Sequence, residues 1–459
     1  MVAEKNIIVA FEFGSSVIRG VAGKKEADGS LHVLAIEQER INDSIRRGTV
    51  HNLNKTTSAI TRIKDRLNER LGIFINRAYV GIAGQSLHTV SNKVNRKMEA
   101  KEKVTQEMID SLMDENRAVH YPDREVLEVA PQEYHLGIDT TTDPIGIQTD
   151  KIEGHYLNVI ARNSLQENIR NCMHEAGLEI VELLITPLEL AKALLPDTDK
   201  RSGCALVDIG AETTTVAIFT KNILRHLVTI PLGGKNITTD LAKLKNMEME
   251  EAEELKLKYG VAKMSPDKDE THRQLLISND RKIAEEELQS ITSSRYAEIV
   301  ANVWNQIKKG KWENDLLSGI TLTGGAAAMK GLPEMFTQMK DLGTNKIKLA
   351  KQLLANLQCG TSVNNSEMGF NAAIALLMSA NENCTGEEPK KEIDEVVIDQ
   401  PVTINEPEPV HEDPAADLSQ ENEVDNNEKP VAEPKPKKKN GSIFTSIGTF
   451  FKKMVEEDE

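Results

Sequence analysis

Only four cysteines occur in 459 residues, Cys172, Cys204, Cys359 and Cys384, and they form no CxxC pair and no His/Cys cluster at metal-ligand spacing. That excludes a disulfide scaffold and a finger-like zinc module, and reduced, mostly buried thiols in a reducing compartment are the expectation. Long hydrophobic runs are also missing: no apolar stretch approaches the length needed to span a bilayer. Glu4 and Lys5 precede a short apolar segment that contains Glu12, so the uninterrupted core of a secretory signal is lacking. The expectation is a chain kept in the cytoplasm, free to touch a membrane from that side. A basic face is lacking too. The formal net charge is -16, and the segment from Asn383 to Pro434 alone holds 16 Asp or Glu against 3 Lys, a balance of -13. The rest is nearly neutral, which gives no support to nucleic-acid binding.

What is present is a pattern of three glycine-containing segments in order: Phe11-Glu12-Phe13-Gly14-Ser15-Ser16, Asp208-Ile209-Gly210-Ala211-Glu212-Thr213-Thr214 and Gly319-Ile320-Thr321-Leu322-Thr323-Gly324-Gly325. The first two each end an apolar strand (7–13 and 204–209) and lead through hydroxyl residues into a second one (17–21 and 215–219). Each reads as a β-hairpin with a tip short of side chains, where backbone N–H groups and the hydroxyls of Ser15, Ser16, Thr213 or Thr214 can approach phosphate oxygens. Taken singly, each is an ordinary tight turn. Their order, and the recurrence of one strand–tip–strand unit in two halves of the chain, point to a two-lobed phosphate clamp. The third segment joins a β-rich run to a glycine pair and a helix, a place for a nucleoside to rest against backbone.

Length leaves room for two or more domains, and residues 1–380 alternate short apolar strands with amphipathic helices, as in an α/β protein with helices covering a mixed sheet. Helices are expected over 54–71, over 105–119 with Thr105 as cap, and over 164–176 ending at Gly177; a strand is expected over 77–83. A lobe boundary falls near 195–203, with Pro196-Asp197-Thr198-Asp199 read as a surface turn, and 239–300 reads as helical and charge-rich. From 381 Pro, Glu, Asp and Asn dominate and no aromatic appears before Phe444, the composition of a disordered linker. The last residues carry Ile443, Phe444, Ile447, Phe450, Phe451, Met454 and Val455 on one helical stripe after a lysine cluster, with Ser442 as cap and Lys452 and Lys453 beside it. A helix of this kind on a tether of about 60 residues reads as a reversible interfacial membrane anchor. Packing of the helix on the core is the alternative.

Several stretches resemble one family. Val104-Thr105-Gln106-Glu107, Val129-Ala130-Pro131-Gln132-Glu133-Tyr134, Ala252-Glu253-Glu254-Leu255-Lys256 with Tyr259-Gly260, Ser294-Arg295-Tyr296 and Leu322-Thr323-Gly324-Gly325-Ala326-Ala327 look like the corresponding motifs of FtsA, the actin-like bacterial division proteins. The resemblance implies an actin-like two-lobed fold with subdomain IA over 1–83 and 161–200, IC over 84–160, IIA over 201–235 and 301–380, IIB over 236–300, an acidic linker over 381–440 and a membrane-targeting helix over 441–456. It implies ATP and Mg²⁺ in the cleft, with Gly14, Ser15, Ser16, Asp208, Gly210, Thr213, Thr214, Gly234, Glu253, Lys256, Gly324, Gly325, Ala326 and Met329 at the nucleotide and Glu12 and Asp208 at the metal. Arg295 and Tyr296 would face the C-terminal tail of FtsZ, and Ile443, Phe444, Ile447, Phe450, Phe451, Lys452, Lys453 and Met454 would enter lipid. Polymerisation with further copies, recruitment of later division proteins and a place on the cytoplasmic face of the inner membrane at the septum complete what it implies.

Three departures from the wider superfamily bear on turnover. Glu12 stands where Asp is usual, Gly210-Ala211-Glu212-Thr213 replaces a glycine-richer tip, and Thr186-Pro187 occupies the place of a polarising Glu before Pro. With no water-positioning group there, slow or negligible ATP hydrolysis is the expectation. Two other readings stay open. An ATP-binding pilus or secretion adaptor shares the fold, and so does a small-molecule kinase, which would need a catalytic Asp that no motif supplies.

Overall fold

The computed structural model describes residues 6–26, 28–264, 273–277, 281–338, 346–350, 353, 357–359 and 368–387. The sequence begins with a meander whose first strand is buried on both faces, because Ile8, Val9, Ala10 and Phe11 leave no polar side to turn outward. Strands β1 (Ile8–Phe13), β2 (Val17–Lys25) and β3 (Leu31–Arg40) run antiparallel. A small hairpin, β4 (Ile45–Arg46) and β5 (Thr49–Val50), leads to α1 (Leu53–Leu71). Asn52 caps α1 by accepting from the Lys55 amide at 3.0 Å, and Gly72 ends it in the left-handed conformation. Then β6 (Arg77–Ile82) and, much later, β11 (Glu179–Ile185) join β1 in parallel. The first sheet has the order β11-β6-β1-β2-β3-β19, where β19 is Leu357–Cys359.

Between β6 and β11 lies a separate layer: β7 (His88–Lys103), α2 (Gln106–Arg117), β8 (Arg124–Leu136), β9 (Asp139–Thr141) and β10 (Gln148–Arg162), with its own small core around Leu112, Tyr134 and Tyr156. Thr105 caps α2 through the Met108 amide at 3.3 Å, as its sequence predicts. Helix α3 (Asn163–Glu175) follows, and α4 (Thr186–Leu194) starts with Pro187 in its first turn. Residues expected as a surface turn instead form α5 (Asp197–Ser202), where the ion pair of Asp197 with Lys200 at i and i+3, 2.9 Å long, supports a short helix.

The second lobe repeats the first. Strands β12 (Cys204–Ile209), β13 (Thr214–Thr220) and β14 (Ile223–Ile230) form an antiparallel meander. They are joined in parallel by β17 (Gly319–Thr323) and β18 (Ile347–Leu349). The run β18-β17-β12-β13-β14 thus has the same connectivity as β11-β6-β1-β2-β3. Between β14 and β17 come α6 (Gly234–Lys245), α7 (Met249–Tyr259), β15 (Gln274–Ile277), β16 (Arg281–Ala284) and α8 (Glu285–Lys309). The stretch read as helical and charge-rich therefore also contains a hairpin, where Leu275, Ile277 and Ile283 alternate inward with period 2. Helix α8 runs unbroken past residue 300. Helices α9 (Leu332–Gln338) and α10 (Asn371–Ser379) complete the described residues, and α10 returns to the first lobe, where Leu376 and Leu377 enter its core.

The inserted layer is bonded to the second lobe, although its chain leaves from the first. One pair, Val228 with His88, continues the second lobe's sheet into β7, giving the order β18-β17-β12-β13-β14-β7-β10-β8-β9. No helix among the described residues is long and apolar enough to cross a membrane. The terminal stripe from Ile443 to Met454 and most of the acidic linker lie outside the described residues.

Candidate functional site

The two hairpin tips are built alike. Each encloses four residues, and in each the first donates its amide to the carbonyl of the fourth: Gly14 to Val17 at 3.1 Å, and Gly210 to Thr213 at 2.8 Å. A side chain at Gly14 would meet the Val17 carbonyl at 2.7 Å and the Glu12 carboxylate at 3.1 Å, so the first tip must stay bare. Ser16 is exposed, while Ser15 is buried and its hydroxyl accepts from the Gly48 amide at 2.8 Å. Thr213 is half-buried at the second tip. Thr214 does not face the cleft: it is fully buried and its hydroxyl donates to the Leu232 carbonyl at 2.8 Å, a consequence of strand alternation one residue past the tip.

Glu12 and Asp208 end the two equivalent central strands and feel one another. Burial first, and then the Glu12 charge, push the Asp208 carboxyl up to about 7, against the pull of Arg19. Glu12 itself is held by Arg19 at 2.7 Å, its cross-strand neighbour, and the Arg19 guanidinium lies over the Phe370 ring at 5.2 Å. Arg19 was missed in the sequence; once the tip is four residues long, register alone puts it opposite Glu12.

Opposite the tips, Gly324 has φ +92°, and a Cβ there would lie 2.3 Å from the Asp208 carboxylate and 2.4 Å from the Ile209 carbonyl. Only glycine satisfies both the dihedral and the contact. Gly325, next in the turn, has open space where its Cβ would be. Ala326 sits 3.0 Å from the Cβ position of Gly234, and Met329 packs half-buried against the second lobe's core. Glu253 and Lys256 are not a surface ion pair. Lys256 is 5 % exposed, and its ammonium donates to Glu253 at 2.6 Å, Thr238 at 3.0 Å and the Gly234 carbonyl at 3.2 Å. Those three bonds use all three donors of a lysine, so Lys256 aims Glu253 and anchors the first turn of α6 and has no donor left for a base or ribose.

Tyr296 belongs to the same assembly and not to a partner surface. It is 1 % exposed, burial pushes its phenol above the usual range, and its hydroxyl donates to the Ala326 carbonyl at 2.8 Å. The Ser-Arg-Tyr stretch places alternate residues on different sides of α8, and the tyrosine faces the core. Arg295 stays half-exposed, bonded to Asp240 at 2.7 Å and to Glu298.

A bridge joins the lobes over this site. The Glu212 carboxylate accepts from the Arg47 amide at 2.6 Å and from Lys235 at 2.9 Å, while Lys235 also reaches Asp43 at 3.2 Å. Glu212 thus answers to one cation and one amide. A cavity of about 600 Å³ lies beside this bridge, with Arg46, Arg47, Arg162 and Lys235 among its walls. It meets the predicted contact residues only through their neighbours Glu212, Lys235 and Asn236. Its walls are polar, so it offers a nucleobase no apolar face.

The family model described as cell division protein FtsA matches residues 205–411, and the SHS2 domain inserted in FtsA matches residues 84–160. The cell division protein FtsA of Porphyromonas gingivalis is 31% identical over 386 residues, covering 83% of this chain and 79% of the relative. That of Pseudomonas aeruginosa is 29% identical, covering 72% and 80%. Among solved structures, a PilM–PilN type IV pilus biogenesis complex aligns with TM-score 0.57 at 14% identity over 81% of this chain and 98% of that one, a likeness of fold alone. With 31% identity over 386 residues that cover 79% of a relative, and the inserted layer matched by its own family model, the chain belongs to the FtsA family of cell division proteins and has their actin-like α/β fold.

Proposed function

We propose that this chain is an ATP-binding, actin-like membrane adaptor of bacterial division. It would polymerise, bind the C-terminal tail of FtsZ, anchor the Z-ring to the cytoplasmic face of the inner membrane and recruit later division proteins. The observation that carries the nucleotide part is the meeting of two matching hairpin tips with the Gly324 turn over Glu12 and Asp208. Two carboxylates at the ends of equivalent strands, one with its proton affinity raised by burial and then by the charge of the other, suit a divalent cation, and bare tips suit phosphate. Gly14, Ser15, Ser16, Gly210 and Thr213 would hold phosphates, Glu12 and Asp208 the Mg²⁺, and Gly324, Gly325, Ala326 and Met329 the base, with Gly234 and Glu253 beside the ribose. Bound Mg²⁺ supplies charge neutralisation between the carboxylates and the phosphates. Turnover should be slow, because Glu189, the acid in the first turn of α4, is bonded to Lys192 at 2.8 Å and to Ser379 and is not free as a base.

Calorimetry with MgATP tests the reading. Wild-type protein should bind one equivalent, and Gly325→Val, whose Cβ meets nothing within 4 Å, should fold normally and bind none. Normal binding by this variant would move the nucleotide elsewhere. For the anchor, Phe450→Glu with Phe451→Glu should abolish co-sedimentation with anionic liposomes and leave ATP binding unchanged. Retention of an FtsZ C-terminal peptide separates the division reading from a pilus adaptor.

A further inference from the structure

The inserted sheet has two faces. Tyr134 and Leu136 of β8 and Ile152 and Tyr156 of β10 are buried in the core shared with α2. Alternation then sends Glu133, His135, Glu153 and His155 to the opposite face. Antiparallel register sets His135 across from Glu153 and His155 across from Glu133, so two imidazoles and two carboxylates share one square of the sheet.

Their geometry is that of a ligand set with an outer support. Glu133 Oε1 lies 3.1 Å from His135 Nε2 and 4.0 Å from His155 Nδ1, and one donor atom from each of these three residues lies within 4.8 Å of the others. The rings stack with centroids 4.0 Å apart. The remaining nitrogen of His155, Nε2, is 2.7 Å from Glu153 Oε1, and Glu153 is steadied in turn by Lys93 at 3.4 Å. A proton on Nε2 donated to Glu153 leaves the Nδ1 lone pair on the Glu133 side, which is how metal-bound histidines are commonly oriented. The side chains of His155 and Glu153 are 17% and 18% exposed, against 36% and 41% for His135 and Glu133. The inner pair is fixed; the outer pair is free to close by small rotations.

We propose that Glu133, His135 and His155 bind a divalent cation of the zinc type on the open face of this sheet, with Glu153 as the positioning residue for His155. Two imidazoles and one carboxylate match the donor preference of Zn²⁺, while Mg²⁺ and Ca²⁺ select oxygen donors. The fourth position opens to solvent. The site is separate from the cleft, and it stands whether or not the nucleotide assignment does. Among the described residues, the free cysteines Cys172, Cys204 and Cys384 are buried.

The test uses the full chain in excess MgCl₂, titrated with ZnSO₄ against a chromophoric chelator and, in parallel, with Co²⁺ followed by visible absorption. One equivalent of zinc should bind, with a tetrahedral Co²⁺ band. His135→Ala and His155→Ala should each abolish both signals, and Glu153→Gln should weaken zinc binding about 10–100-fold. Glu133→Gln, which keeps the shape and most hydrogen bonding, should also lose the site, so the result does not depend on a truncation that disturbs the sheet. Absence of stoichiometric zinc binding overturns the proposal. So does binding that survives both histidine substitutions; the four side chains would then be a cross-strand hydrogen-bonded network only.

Discussion

Single residues in this chain are decided by how many bonds they can make. Tyr296 looks like a surface contact in a charged stretch, yet its phenol ties α8 to the Ala326 turn. Tyr296→Phe should cost about 1 kcal/mol in urea unfolding, the usual worth of a buried hydrogen bond, and should weaken MgATP binding by loosening that turn. His226 makes a second residue-scale case. Burial holds its imidazole below the usual histidine range, with Lys309 and His88 adding to the effect against the raising influence of a hydrogen bond that the imidazole donates to Gln306. The unfolded chain takes up this proton near pH ~6.5 and the folded one only at lower pH. The contribution of neutral His226 is therefore intact above that value and is lost as pH falls through the folded pKa. Urea midpoints should fall on acidification from about pH 7 to about pH 5, and His226→Phe should show a shallower fall. Equal slopes would assign the acid sensitivity to other groups.

At the scale of elements, neighbouring glycines in one turn have opposite tolerances. Gly324 carries the left-handed backbone and the tight contact with Asp208, whereas Gly325 faces open space. Gly324→Ala should lose about 2 kcal/mol or more in denaturant unfolding, from backbone strain and crowding together, while Gly325→Ala should be nearly neutral. The start of α6 shows the same dependence on a bare backbone: a Cβ at Gly233 would meet the Gly210 carbonyl at 2.6 Å. There the amides of Gly234 and Lys235 donate to the carbonyls of Gly210 and Ala211, so helix and hairpin tip move as one body.

For the whole molecule, two repeated lobes share a core, in which Leu206, Ala217 and Phe219 of the second lobe cluster with residues of the first. Glu212 adds a polar tie by holding the Arg47 amide from one lobe and Lys235 from the other. Partly exposed pairs of this kind contribute about 1 kcal/mol or less. Glu212→Gln should therefore leave global unfolding nearly unchanged but raise hydrogen exchange at the Arg47 amide by up to about fivefold. If that amide exchanges as in the parent, the lobes are held by something other than this bridge.

Sequence by itself determined the repeated strand–tip–strand units, the cap at Thr105, the glycines of the turn and the family, because these depend on local dihedrals, periodicity and short motifs. The hairpin at β15 and β16 was hidden because a charged, short, two-stranded segment has the composition of a helix surface. Only the tertiary structure decided that Thr214, Lys256 and Tyr296 turn inward, that Arg19 neutralises Glu12, and that Glu212 spans the lobes. It also joined the inserted layer to the second lobe through β14 and β7. The physical reason is common to all of these: a side chain's role follows from which partners lie within hydrogen-bond reach, and those partners are brought near by strand register and lobe packing across long sequence separations.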